Sequence, residues 1–298
     1  MGRGGRAETG ATVAPREHFA GEVPALSTAA RAHPERNEDS FVCAPEAGVA
    51  AVFDGMGGAA GGAEISRAAA GSLEERLERI PPQDDLVGRL EWLRETVWEC
   101  ARAAADARPT LSSGTTGIFA CIAEGHVLYA GAGDSRAYLL RDGELRQLSR
   151  EDDAWPDDEK HDRARELCDQ ALSASELKDV ARFMFATRNR IGRDLCMLAG
   201  ERPRVDGIEL APGDIVILTS DGVHDNLARD EIAAIAREHA DDTRALVRAL
   251  NTAARERADD EDHLRAKDDD ITALALRYEA LRGAGGPAPS SSRGSSRA

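Results

Sequence analysis

An α+β fold, with β-sheets packed face to face and helices outside them, is what this sequence predicts. Two observations carry the prediction. Short apolar or alternating segments bounded by turn residues recur along the chain, and two pairs of stretches between them carry apolar residues at helical spacing. The order is strands, helix pair, strands, helix pair, strand, which suits layered sheets with helices on the outer faces. At 298 residues, 42% hydrophobic and 31% charged, the chain has the length and composition for one large core.

Ser40 to Ala44 reads as a strand, and the apolar run Val49 to Phe53 as another that stops at Asp54-Gly55 and enters a glycine cluster from Gly57 to Gly62. Ile65, Ala69, Leu73 and Leu77 then repeat at helical spacing. Leu86, Leu90, Leu93, Val97, Ala101 and Ala104 do so again beyond Pro81-Pro82, so two antiparallel helices are expected. Ile118 to Ala123, Val127 to Gly131, Arg136 to Arg141 and Glu144 to Leu148 form an expected antiparallel meander, with Glu124-Gly125 and Asp142-Gly143 as turns. The stretch from Arg150 to Arg165 is too charged to be expected to pack, and Leu167 to Ala186 has some helical spacing. A flap-like surface insertion over 150–190 with a short helical piece follows. Asp214 to Thr219 is a strongly apolar strand ending in Ser220-Asp221-Gly222. Helices carrying Ile232 and Ile235, then Leu246, Val247 and Leu250, lead to a last strand at Ile271 to Leu276. Residues 1–20 and 283–298, rich in Gly, Arg, Ser or Pro without periodicity, are expected to be disordered, leaving 21–282 as the working domain.

Charge and composition narrow the function. A net charge of −16 and a pI near 4.9 would repel phosphate backbones, so nucleic acid is not an expected partner. No apolar run reaches membrane-spanning length and no signal-peptide core follows the N-terminus, so a cytoplasmic protein without membrane contact, and a monomer, is expected. Cys43, Cys100, Cys121, Cys168 and Cys196 are odd in number and form no Cys-x-x-Cys pair, and they read as core thiols.

The chemistry lies in four acidic motifs at or beside strand ends: Asn37-Glu38-Asp39, Asp54-Gly55, Ser220-Asp221-Gly222 and Asp268-Asp269-Asp270. Read singly, an Asp-Gly after an apolar strand is a turn signal and a triplet of aspartates is a solvated loop. Together, four acidic strand ends in one sandwich can converge on one edge, where their charges repel unless cations sit among them. Carboxylates, carbonyls and water are the donors that Mg²⁺ and Mn²⁺ prefer, and no His or Cys cluster of zinc type accompanies them. Two metals sharing a water, oriented for in-line attack on phosphorus, are the chemical inference.

In these motifs the sequence resembles the metal-dependent protein phosphatase family, of protein phosphatase 2C type, and within it the bacterial branch. Arg36-Asn37-Glu38-Asp39-Ser40, Val52-Phe53-Asp54-Gly55-Met56-Gly57-Gly58 and Ser113-Gly114-Thr115-Thr116 carry the resemblance. So do Gly133-Asp134-Ser135-Arg136-Ala137-Tyr138, Gly213-Asp214 with Leu218-Thr219-Ser220-Asp221-Gly222, and Asp269-Asp270-Ile271-Thr272, all in family order. The resemblance implies a β-sandwich of two antiparallel sheets flanked by pairs of antiparallel helices, a four-layer αββα arrangement. It implies two Mn²⁺ or Mg²⁺ ions per site, with Asp54 bridging them, the Gly55 carbonyl helping to hold one, and Asp221 and Asp269 completing the other. Glu38 and Asp39 would act mainly through metal-bound waters. Asp134 either shares a third, weaker cation with Asp221 or anchors Ser135 and Arg136. Thr115 and Thr116 are expected to cap or pack.

Three departures from the family pattern stand out. Pro34 occupies the position of a phosphate-binding arginine, with Arg31 and Arg36 on either side. Of the two, Arg36 is the preferred substitute, because in an extended segment it shares a face with Glu38. Met56 stands where animal members carry a histidine, as it commonly does in bacterial ones. Glu151-Asp152-Asp153 replaces the usual Asp-His. The expected activity is hydrolysis of phosphoserine or phosphothreonine on proteins phosphorylated by a Ser/Thr kinase. The alternatives are a pseudophosphatase that binds phosphoproteins without turnover, and a phosphatase of small metabolites. Of the histidines, His224 is expected nearest the site, whereas His33 and His126 read as surface residues.

Overall fold

The apolar run Val49–Phe53 is continuous because both of its faces are buried: Val49, Ala51 and Phe53 turn to one core and Ala50 and Val52 to another. The same division recurs at Ile215–Thr219, where Ile215 and Ile217 point one way and Val216 and Leu218 the other. Each sheet is therefore covered twice, once by the other sheet and once by helices.

The computed structural model describes residues 8–10, 16–20, 23–57 and 61–279. Its strands are β1 (Glu8–Gly10), β2 (Arg16–Ala20), β3 (Val23–Thr28), β4 (Ser40–Ala44), β5 (Val49–Phe53), β6 (Gly55–Met56), β7 (Gly114–Thr115), β8 (Gly117–Ala123), β9 (His126–Ala132), β10 (Arg136–Arg141), β11 (Glu144–Gln147), β12 (Asp206–Glu209), β13 (Ile215–Thr219) and β14 (Ile271–Arg277). The first sheet has the order β1-β4-β5-β8-β9-β12 and the second β11-β10-β13-β14-β3-β2. All pairings are antiparallel, and β6 and β7 make a two-stranded ribbon beside the site.

Helices α1 (Gly62–Leu77) and α2 (Leu86–Asp106) pack Ile65, Leu73, Leu93 and Val97 on the outer face of the first sheet. They are tied to each other where Trp92 Nε1 donates to the Arg76 carbonyl at 3.2 Å. Asp85 starts α2, its carboxylate accepting from Gly88 N at 2.8 Å. Phe53 and Phe119 meet edge-on beneath them, 5.2 Å between ring centroids, an arrangement contributing about 0.5–1.5 kcal/mol beyond burial. On the far side α6 (Arg229–Glu238) and α7 (Thr243–Asp259) cover the second sheet with Ile232, Leu246, Val247 and Leu250; between the sheets and these helices lies α5 (Asp221–His224), a single turn. The architecture is the four-layer α-β-β-α sandwich expected from the sequence.

The N-terminal segment and the insertion differ from expectation. Within the segment expected to be disordered, Glu8–Gly10 pairs with β4 and Arg16–Ala20 with β3. An added edge strand draws on the backbone hydrogen bonds of a sheet already formed and needs no apolar pattern of its own. The remainder of 1–20 and the expected disordered tail 283–298 lie outside the described residues. The insertion also packs, despite its charge. Glu159–Gln170 is helix α3 and Asp179–Ala186 helix α4, and Ala164, Leu177, Met184 and Phe185 form a small core of their own. The charges are accommodated by pairing: Arg165 binds Asp153 at 2.7 Å and Asp162 at 2.7 Å. Buried Arg265 fastens the insertion to the body, donating to the Cys168, Ala171 and His224 carbonyls at 2.8, 3.0 and 2.7 Å. All five cysteines are free; Cys43, Cys100, Cys121 and Cys196 are buried and Cys168 is half-buried in the insertion.

Candidate metal centre

Asp54 leaves β5 at the point where its backbone must turn toward the ribbon. Thr116 N and Thr115 Oγ1 donate to the Asp54 carbonyl at 2.8 and 2.9 Å, and Asp54 N donates to Thr116 Oγ1 at 3.1 Å. The two threonines thus clamp the aspartate's backbone and leave its carboxylate to the site. Gly55 follows because nothing larger fits: a Cβ there would stand 2.5 Å from both the Glu38 and Gly62 carbonyl oxygens. Asp221 opens α5 at the end of β13, and Gly222 beside it is equally constrained, since a Cβ would lie 1.9 Å from the Asp270 carbonyl oxygen.

Carboxylate oxygens of Asp54, Asp134 and Asp221 come within 4.8 Å of one another. Asp269 joins them through Lys267, whose Nζ is 3.0 Å from Asp269 Oδ2 and also donates to Asp221 Oδ2. Asp39 is wholly buried nearby, with Thr272 Oγ1 donating to its Oδ2 at 2.6 Å and Asn37 Oδ1 receiving its N–H at 2.9 Å. The acidic triplet divides its labour. Asp268 accepts from Arg31 N and Ala32 N at 2.7 Å each, and Asp270 from Ala30 N and Glu38 N at 2.6 Å each, so both pin the segment 30–38. Asp269 is the member that Lys267 links to Asp221, and Asp270 also acts on Asp39.

Electrostatics reflect this crowding. Burial, then the charges of Asp221, Asp39, Asp269 and Asp134, push the Asp54 carboxyl well above its ordinary range. Burial and then Asp221 do the same to Asp134, and burial and then Asp270 to Asp39. Asp221 is raised to about 6 by burial, against the pull of Lys267. Asp225 goes the other way: burial would raise it, but Lys267 and Arg188 beside it outweigh that and hold it below the usual range. The residues fit divalent cations. The donors are hard oxygens, they converge, and Asp134 Oδ1 and Asp221 Oδ1 are buried without a hydrogen-bond partner among the described residues.

Arg36 lies on the Glu38 side of its segment, with Nε 3.0 Å from Glu38 Oε1. Arg31 turns outward to Glu261 at 3.1 Å and Asp259 at 3.5 Å, away from the carboxylates. His224 is buried, its Nδ1 3.2 Å from Thr219 Oγ1, and it lines a cavity of about 520 Å³ between insertion and body, together with Asp134, Arg136, Asp169, Arg188 and Asp225. His33 is exposed, and His126 sits in a hairpin with Nδ1 3.0 Å from the Glu124 carbonyl.

The match that decides the family runs over residues 28–267, which fit the model of protein phosphatase 2C. The chain belongs to the protein phosphatase 2C family. Serine/threonine protein phosphatase PstP of Mycobacterium tuberculosis is 35% identical over 117 residues, 39% of this chain and only 22% of that relative's length. Serine/threonine phosphatase Stp of Listeria monocytogenes is 27% identical over 209 residues, 69% of this chain and 78% of that protein. In fold, the chain is similar to the crystal structure of the PstP catalytic domain in complex with two manganese ions, with a TM-score of 0.58 at 22% identity over 90% of this chain and 96% of that one.

Lys267, Asp225 and Arg188 also stand among these carboxylates, although the motifs do not include them. Lys267 Nζ lies 2.7 Å from Asp225 Oδ2, and Arg188 Nε lies 3.3 Å from the same oxygen. Two signals were present: a lone lysine directly before an acidic triplet, and an aspartate four residues after Asp221, which a helical turn brings back to the same side.

Proposed function

We propose that this protein is a metal-dependent protein serine/threonine phosphatase. The observation that carries the reading is the convergence of Asp54, Asp134 and Asp221 within 4.8 Å, with two of their oxygens lacking a hydrogen-bond partner among the described residues, in a chain of the protein phosphatase 2C family. Asp54, Asp221, Asp269 and the Gly55 carbonyl would hold two Mn²⁺ or Mg²⁺ ions, as the manganese-bound PstP domain suggests, and Asp134 would serve a third. When bound, such ions polarise phosphoryl oxygens and lower the pKa of the attacking water.

The chain's own residues do the rest. Thr115 and Thr116 fix the Asp54 backbone, so that its carboxylate is oriented before any ion arrives. Asp39 and Glu38 stand behind the site to orient water, and the Arg36 guanidinium beside Glu38 offers paired donors to a phosphate dianion. The polar cavity next to Asp134 gives the peptide around a phosphorylated side chain a place to lie. Substrates would be proteins phosphorylated by a Ser/Thr kinase. Free cysteines throughout suit the reducing cytoplasm, and no helix among the described residues is long and apolar enough to cross a membrane.

One observation favours the alternative of a phosphoprotein-binding module without turnover: Lys267 already contacts two of the proposed metal ligands. The readings separate in a single assay. A phosphatase releases phosphate from a phosphothreonine peptide in Mn²⁺ and stops on chelation, whereas a binding module retains the peptide and releases nothing.

A further inference from the structure

Lys267 holds a defined position among the carboxylates. Its ammonium donates to Asp221 Oδ2 and lies 2.7 Å from Asp225 Oδ2 and 3.0 Å from Asp269 Oδ2, with the side chain only 16% exposed. The backbone that delivers it is gripped from both sides. Buried Asn226 donates to the Lys267 carbonyl at 2.9 Å and accepts from the Lys267 N–H at 2.9 Å, while also donating to the Gly222 carbonyl at 2.9 Å. The residue after Asp221 and the residue two before Asp269 are thus locked to a common amide.

An ammonium and a divalent ion cannot hold the same carboxylate oxygens, because like charges at that separation repel strongly in a half-buried site. We propose that Lys267 is an internal cation standing in for one divalent ion, so that metal reaches Asp221 Oδ2 and Asp269 Oδ2 only by displacing the ammonium, which Asp225 then retains. The inference rests on the reading of this site as a divalent-cation centre. Asp225 suits the second role: it is buried, already contacts Lys267, and is not one of the three carboxylates that meet within 4.8 Å. Its other partner, Arg188, lies just beyond α4 in the insertion, so the ammonium's resting place is wired to the element that roofs the cavity.

The test is calorimetric titration of Mn²⁺ into the chelator-treated full-length protein, with thermal melts confirming that each variant is folded. Lys267→Met is expected to bind Mn²⁺ about tenfold more tightly or better, because the competitor is gone. Asp225→Asn, which removes the carboxylate that receives the displaced ammonium, is expected to bind it several-fold more weakly. This second variant keeps the question open to test if Lys267→Met does not fold. Opposite shifts in the two variants support the exchange when Lys267→Met tightens binding more than Arg188→Met, which removes an equal charge that touches Asp225 but neither proposed ligand; equal tightening in those two would mean that through-space charge alone acts and overturns the exchange. Equal Mn²⁺ affinity in the wild type and both variants, with Mn²⁺-dependent turnover intact, overturns the role of Lys267 and leaves the phosphatase reading standing. No Mn²⁺ binding in any of the three overturns both.

Discussion

The backbone N–H of Glu38 donates to Asp270 Oδ2 at 2.6 Å, joining residues 232 apart in the chain. Since Asp270 Oδ1 receives the Ala30 N–H at the same distance, one carboxylate holds the whole approach to Glu38 and Asp39 against the last strand. Asp270→Ala should leave two donors unpaired and lower stability by roughly 2–4 kcal/mol, whereas Asp270→Asn keeps one acceptor and should cost about half as much. Urea denaturation midpoints measure both, and an unmoved midpoint in the alanine variant would show that water replaces the carboxylate freely.

The two arginines flanking Pro34 are expected to behave differently. Arg36 sits beside Glu38, while Arg31 is turned to Glu261 and Asp259. Arg36→Ala should raise KM for a phosphothreonine peptide about tenfold, through loss of a charge-assisted contact, with Mn²⁺ binding unchanged. Arg31→Ala should leave both kcat and KM unaltered. If neither variant changes KM, phosphate is held from another part of the chain.

His224 provides a pH signature. Burial, then the neighbouring Arg136 charge, hold its imidazole well below the ordinary value of 6.5, so it stays neutral in the folded state. Below pH 6.5 the unfolded chain binds a proton that the folded one does not, and stability is lost as pH falls, by about 1.4 kcal/mol per pH unit for this group. His224→Gln should therefore lose less stability than wild type between pH 6.5 and 5. Parallel stability curves for the two proteins would contradict the buried neutral imidazole.

Cation binding should stabilise the fold, because the cluster of like charges is present only in the folded state. With Mn²⁺ at about one hundred times its Kd the gain is roughly 2.7 kcal/mol, read as a rise in Tm. An Asp54→Asn, Asp221→Asn double variant should show little of that rise. A rise equal to that of wild type would move the cation elsewhere.

Much of this was legible in the sequence, for identifiable reasons. The layers were readable because runs such as Val49–Phe53 and Ile215–Thr219 are apolar on both faces, and the α1 and α2 positions repeat at helical spacing. Strands β1, β2, β3 and β12 were not. All but β3 are edge strands held by backbone pairing, Asp206–Glu209 alternates only partly buried residues with exposed ones, and β3 carries Pro24 and small residues in place of an apolar run. Helix α3 was hidden by its own charges, which only the partners of Arg165 explain. In the site, Asp54 and Asp221 announce themselves as aspartates that end apolar strands. The backbone-anchoring roles of Asp268 and Asp270 could not be read from the triplet, because they depend on the path of residues 30–38. Lys267 stands beside the triplet in sequence, but its partners could not be read for the same reason: Asp221 and Asp225 are more than 40 residues away in the chain.

In the proposed reading, carboxylates gathered around Asp54 hold the cations on which phosphatase activity depends. The most direct measurement is phosphate release from a phosphothreonine peptide by the wild type and by Asp54→Asn, each across a Mn²⁺ titration. Wild type should turn over only with Mn²⁺, and Asp54→Asn should fall by a factor of about 10³ or more in kcat at every Mn²⁺ concentration while remaining folded. Undiminished turnover in Asp54→Asn, or full wild-type activity in excess chelator, would contradict it.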